Sequence, residues 1–188
     1  MAAPKKQAAP EFRQKDDRRE SLSHQNNLAD LYEHDYYTWT GTQAQALRER
    51  KVSRLDWDNL AEEVEDLGKA EVHRLESHLE LLLMHLLKWV YQPQRRSRSC
   101  SNSIEEHRFR VHRVLRDNPG LKAKLPDVFA ATYGTARFAA RRETTLSLST
   151  FPESCPWSLD DAMREDFWPG GPPKEKERRP ANRSGPNR

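Results

Sequence analysis

From Asp56 to about residue 90, Leu60, Val64, Leu67, Leu75, Leu82 and Trp89 recur at helical spacings, and Pro93 ends the pattern. A helix this long cannot bury its apolar stripe alone, so the rest of the chain must supply helices to pack on it. Asp56 is placed to cap it. Gly68 is its weak point, disfavoured by about 1 kcal/mol relative to Ala, and is where it would bend or split.

The flanking segments supply such partners. A first helix is predicted over about residues 31–50, with Asp30 as cap, Tyr32, Tyr36, Trp39, Ala46 and Leu47 near one face, and Gly41 as its weak point. A third starts near Ser101 or Ser103, where Ser103 and Glu106 have capping-box spacing; it buries Ile104, Val111 and Leu115 and stops at Asn118-Pro119-Gly120. A fourth begins at Pro126 and presents Phe129, Tyr133, Ala136 and Ala140. Beyond Leu148 an extended arm is expected, then a short helix capped by Ser158 with Asp161 three residues on. Strand-like alternation is confined to Leu146 and Leu148. The expectation is an all-α helical bundle of about four main helices with an extended C-terminal arm and a short terminal helix.

The chain has 188 residues and a mean hydropathy of -1.02, enough for one domain, placed at residues 27–168. Residues 1–26 and 169–188 read as disordered tails, the second rich in Pro and Gly, because neither carries enough apolar surface to offset its ordering entropy. Their charges are +2 and +4 against a total of +3, so residues 27–168 stand at -3 and the basic character belongs to the tails. The richest apolar run, Leu79 to Tyr91, is interrupted by Glu80, His85 and Lys88, which argues against membrane insertion. The N-terminus has no apolar secretory segment, and Cys100 and Cys155 are the only cysteines, so a cytoplasmic location is expected.

Polar residues interrupt the long stripe at regular intervals. Glu71, His78 and His85 lie seven apart in the sector of Leu75, Leu82 and Trp89, and His107 and His112 of the third helix are candidates to join them. Seven residues rise about 10.5 Å, so no two of the first three can share a metal ion without help from another helix. The cluster is read as buried histidines satisfied by polar neighbours, with an acid–base or metal site as the alternative. No cofactor is expected.

Charge is segregated along the chain. Residues 56–80 hold nine acids against Lys69 and Arg74, and residues 95–116 hold seven arginines against Glu105 and Glu106. The segments either pair with each other or form solvated faces. Alternatively, Arg95, Arg96, Arg98, Arg108 and Arg110 form an anion site where the third helix starts. The aromatic residues have core-packing spacing, and Trp157 and Trp168 are expected to pin the arm to the bundle. Cys100 lies beside Arg98, which would lower its pKa, but no partner His-Asn set stands at a recognisable spacing.

Four stretches carry a further signal: Leu31-Tyr-Glu-His-Asp-Tyr-Tyr-Thr-Trp-Thr40, Leu60-Ala-Glu-Glu-Val-Glu-Asp-Leu-Gly68, His85-Leu-Leu-Lys-Trp89 running into Tyr91-Gln-Pro, and Leu148-Ser-Thr-Phe-Pro-Glu-Ser-Cys-Pro156. In this order they resemble the bacterial domain of unknown function family twenty-nine, over about residues 28–169. The resemblance implies a small, all-helical, intracellular protein and brings no established activity or catalytic residue.

With no complete catalytic set in view, the expected function is a noncatalytic protein-interaction module. The alternatives are a nucleic-acid-associated protein using the Arg-rich helix and basic tails, and a metal- or histidine-dependent hydrolase.

Overall fold

The computed structural model of the protein describes Leu28 and residues 30–173. The protein is all-α, and no strand occurs among the described residues; Leu146 and Leu148 lead into a single 3-10 turn, Leu148–Thr150. Of the expected tails, residues 1–26 and 174–188 lie outside the described residues. Contacts group the chain into two compact units, one up to Leu67 and one from Gly68 on, where the sequence suggests a single domain.

In the first unit, residues 30–34 are helical and the chain breaks at Asp35, whose φ of -146° and ψ of 69° are not helical. Helix α1, Tyr36–Arg48, starts there, with the Asp35 carboxylate accepting the Thr38 N–H at 3.0 Å. The cap is therefore Asp35 rather than Asp30, and the interruption falls there rather than at Gly41. A carboxylate just ahead of Tyr36 satisfies an N–H that has no partner inside the helix. At the other end Arg50 takes a left-handed φ of 55° while its own N–H and that of Lys51 return to Leu47 and Ala46. These bonds close the helix in a Schellman-type turn.

Helix α2, Trp57–Tyr91, runs unbroken for 35 residues, and Gly68 lies within it without interrupting it. Its approach is fixed at Asp56, whose backbone N–H donates to the buried Gln43 Oε1 at 2.9 Å and whose carboxylate accepts the Trp39 indole at 3.1 Å. Glu63, further along α2, accepts the hydroxyls of Tyr32 and Tyr36. The first part of the apolar stripe does not behave as expected: Leu60 is half-buried, Val64 and Leu67 are 66% and 71% exposed, and Trp57 ahead of them is 58% exposed.

The second unit has the continuous core. From Leu75 on, α2 buries Leu75, Leu79, Leu82, Leu86 and Trp89. Against them pack helix α3, Arg98–Asp117, and helix α4, Leu125–Thr144. The buried residues of α3 include Ile104, Val111 and Leu115, and those of α4 include Phe129, Tyr133, Ala136 and Ala140, as their spacing predicts. Helix α3 starts earlier than expected because Ser97 Oγ accepts the Cys100 N–H. Ser101 and Ser103 instead donate their hydroxyls to carbonyls of the preceding turn.

The arm packs against this core. Tyr133 donates its hydroxyl to the Pro152 carbonyl at 2.9 Å, Arg137 reaches the Phe151 carbonyl at 3.0 Å, and Phe151 is buried. Helix α5, Leu159–Met163, is capped by Ser158, which accepts the Asp161 N–H and donates to the Asp161 carboxylate. Trp168 meets Trp89 at a 5.2 Å ring separation. The packed chain continues past Trp168: the Trp89 indole donates to the Gly171 carbonyl at 3.0 Å, and Pro169 and Pro173 are buried. The segment from 169 to 173 therefore belongs to the folded arm.

Candidate functional site

The seven-residue spacing on α2 places His78 and His85 two turns apart on one face, and α3 inserts His107 beside both. The rings of His78 and His107 stand 5.6 Å apart, and those of His85 and His107 stand 6.1 Å apart with planes only 15° from parallel. The three imidazoles form a file between the helices. Burial lowers the pKa of each, that of His85 to about 4, with Lys88 and His107 adding to the shift. At neutral pH the file is therefore uncharged. The Nδ1 atoms of His78 and His107 are buried without a hydrogen-bond partner.

The other two residues of the expected cluster lie outside it. Glu71 accepts the Asn118 carboxamide at 2.9 Å and pairs with Arg74 at 3.2 Å. His112 contacts the Met163 carbonyl through Nε2 at 3.3 Å. Among the described residues no three His, Cys, Asp or Glu side chains are grouped to hold a metal ion.

Cys100, which sequence spacing left without a partner, reaches the end of the file, with its Sγ 3.9 Å from His85 Nδ1. The signal that could have revealed it is the Ser97 cap, since starting α3 at Arg98 turns Cys100 toward His85. The expected lowering of its pKa by Arg98 is not found: burial pushes the thiol up, and opposition from Lys88 and Arg96 is the smaller effect. His85 and Cys100 line a cavity of about 210 Å³ together with Lys88, Arg95, Arg96 and Glu143. Lys88 and Glu143 form an ion pair at 2.5 Å across it, and Lys88 is the main cause holding the carboxyl below its ordinary range.

The arginines do not converge on one point. Arg108 is buried at 2% exposure and donates to the carbonyls of Ala162, Glu165 and Phe167. Arg96 donates to the carbonyls of Trp89 and Gly170 and lies over the Trp89 ring at 4.8 Å. Arg110 pairs with Glu106 one turn back on its own helix. Arg95 lines the cavity, and Arg98 lies along a separate open groove beside Phe109. Arg113 and Arg116 both reach Asp117. The α3 ion pairs named here are thus local, unlike the cross-helix pairing with α2 that charge segregation suggests.

Fold and site together define a small all-helical protein whose polar centre is a file of neutral histidines ending at a thiol. A family model, the domain of unknown function DUF29, matches residues 31–168, and the chain belongs to that family. No curated protein and no solved structure matches it.

Proposed function

We propose that the protein is a noncatalytic protein-interaction module, and that its docking surface is the row Trp57, Leu60, Val64 and Leu67 at the start of α2. The observation carrying this reading is the exposure of three large apolar side chains at the spacing of a helix-pairing seam. The same segment holds Asp58, Glu62, Glu63, Glu65 and Asp66 and no basic residue. An apolar row with acidic flanks complements a basic amphipathic helix, which is the partner this surface fits. The same flanks would repel each other in a pairing of two such rows. The use of the buried Arg108 on three backbone carbonyls also favours a protein partner over a nucleic acid. No helix among the described residues is long and apolar enough to cross a membrane. Cys100 and Cys155 are free thiols, which supports a reducing, cytoplasmic location.

The test uses two helical peptides, one of leucine and lysine and one of leucine and glutamate. The basic peptide is expected to bind the full chain, more weakly at high salt, and to lose roughly tenfold or more in affinity for Val64→Ser/Leu67→Ser. Equal binding of both peptides, or unchanged binding by the double variant, would overturn the reading.

A further inference from the structure

We infer that the cavity between the end of α2 and the start of α3 is a binding site for a small phosphate-bearing anion. The inference rests on a different part of the molecule from the docking surface and does not depend on it.

The volume, about 210 Å³, lies below the ~300 Å³ at which pockets for drug-sized ligands begin. A compact ligand is therefore the appropriate class. Lys88, Arg95 and Arg96 contribute three cations to the lining, and Ser97 and Ser99 contribute hydroxyls. Glu143 is the only carboxylate among the described residues of the lining, and Lys88 already engages it. The cavity thus carries an excess of positive charge with its one acid neutralised.

Arg96 is held in place before any ligand arrives. Its Nε and Nη1 are directed by the carbonyls of Trp89 and Gly170, and its plane lies over the Trp89 ring. A guanidinium fixed in this way loses little freedom on binding. Arg95, on the 3-10 turn Pro93–Arg95, is exposed and free of such constraints, and supplies the mobile donor. Donors approaching from α2, this turn and the first residues of α3 suit a tetrahedral oxyanion better than a planar carboxylate, which presents its oxygens in one plane. Gln92 adds an uncharged carboxamide to the lining, and burial favours the neutral forms of Cys100 and His85, so no thiolate opposes an incoming anion.

Nuclear magnetic resonance of the full chain tests this with inorganic phosphate, with chloride at equal ionic strength as control. Saturable phosphate-specific shifts are expected at the amides of Ser97, Ser99 and Cys100, with none at Cys155, which is outside the cavity lining. Arg95→Gln, a change at an exposed residue, is expected to weaken the phosphate affinity roughly fivefold or more. Parallel titration with glycerol phosphate separates the sources of the anion: tighter binding assigns the site to a phosphate ester, and equal or weaker binding to free phosphate. Shifts that chloride reproduces, shifts that do not saturate, or an affinity unchanged by Arg95→Gln would each overturn the assignment.

Discussion

Arg108 Nε donates to the Ala162 carbonyl at 2.9 Å, joining the middle of α3 to the short helix α5 across 54 residues of sequence. The same guanidinium reaches the carbonyls of Glu165 and Phe167 and lies 5.4 Å from the centre of the Trp168 ring. Burial lowers its pKa to about 10, which leaves it cationic at neutral pH. One buried charge therefore organises the return of the arm.

Arg108→Met retains much of the aliphatic packing but leaves those carbonyls without their donor. The expected loss is roughly 2–4 kcal/mol, since hydrogen bonds to charged groups contribute more than neutral ones and buried acceptors are left unpaired. Chemical denaturation gives the number. A loss below about 0.5 kcal/mol would show that the arm is held by its other hydrogen bonds and its aromatic contacts without Arg108.

The histidine file gives the fold a pH dependence with a definite sign. His85 sits near 4 in the fold against an ordinary 6.5, and His78 and His107 are lowered as well, with burial the largest cause in each. The unfolded chain therefore takes up protons first, so the contribution is complete above about pH 6.5 and is lost as pH falls toward 4. Lys88, Arg74 and Arg110 reinforce this, while Glu106 and Glu143 oppose it. Thermal midpoints measured across that window should fall, and His85→Gln should flatten the slope. A parallel slope in the variant would remove His85 from the account.

Gly170 has a φ of +76°, and a Cβ built there would lie 2.6 Å from Arg96 Nη2. Gly170→Ala is expected to cost about 1–2 kcal/mol from backbone strain, with a further loss from displacing Arg96. Gly171 also has a positive φ, +102°, but its Cβ would meet open space. Gly171→Ala should therefore be the milder change in a side-by-side melt, and the reverse order would show that Arg96 moves aside freely.

Exposure separates the two halves of the α2 stripe. Val64→Ser/Leu67→Ser alters side chains that are already exposed and should shift stability by no more than about 0.5 kcal/mol per site. Leu82→Ala, at 0% exposure, should cost roughly 2–5 kcal/mol. Urea unfolding of the two variants distinguishes them directly, and a large loss for the exposed pair would mean that those residues support the fold.

These contrasts show what was legible in the sequence. Pro126, Ser158 and the spacing of Phe129, Tyr133, Ala136 and Ala140 specify their structure through neighbours a few residues away, and the structure follows them. The start of α3 was harder to place because Ser97, Ser101 and Ser103 are chemically equivalent candidates, and only Ser97 directs its oxygen to an unpaired N–H. Val64 and Leu67 have the same helical spacing as Leu75 and Leu82, but spacing states which side chains share a face and not whether that face is covered. Of the candidate site, the approach of His107 to His78 and His85 was visible in outline. The destinations of Arg96 and Arg108 were not, because all their acceptors but the Trp89 carbonyl are backbone carbonyls 54 to 74 residues away, and every residue type offers a carbonyl.

The bond from the Trp89 indole to the Gly171 carbonyl spans 82 residues. A ribosome makes the indole long before its acceptor, so α2, α3 and α4 can assemble during synthesis while that N–H still lacks its native partner. The arm supplies the final closure only after its last packed residues emerge. A nascent chain stalled within the arm would carry a nearly complete bundle with an open seam beside Trp89, an edge that proteases and chaperones can reach.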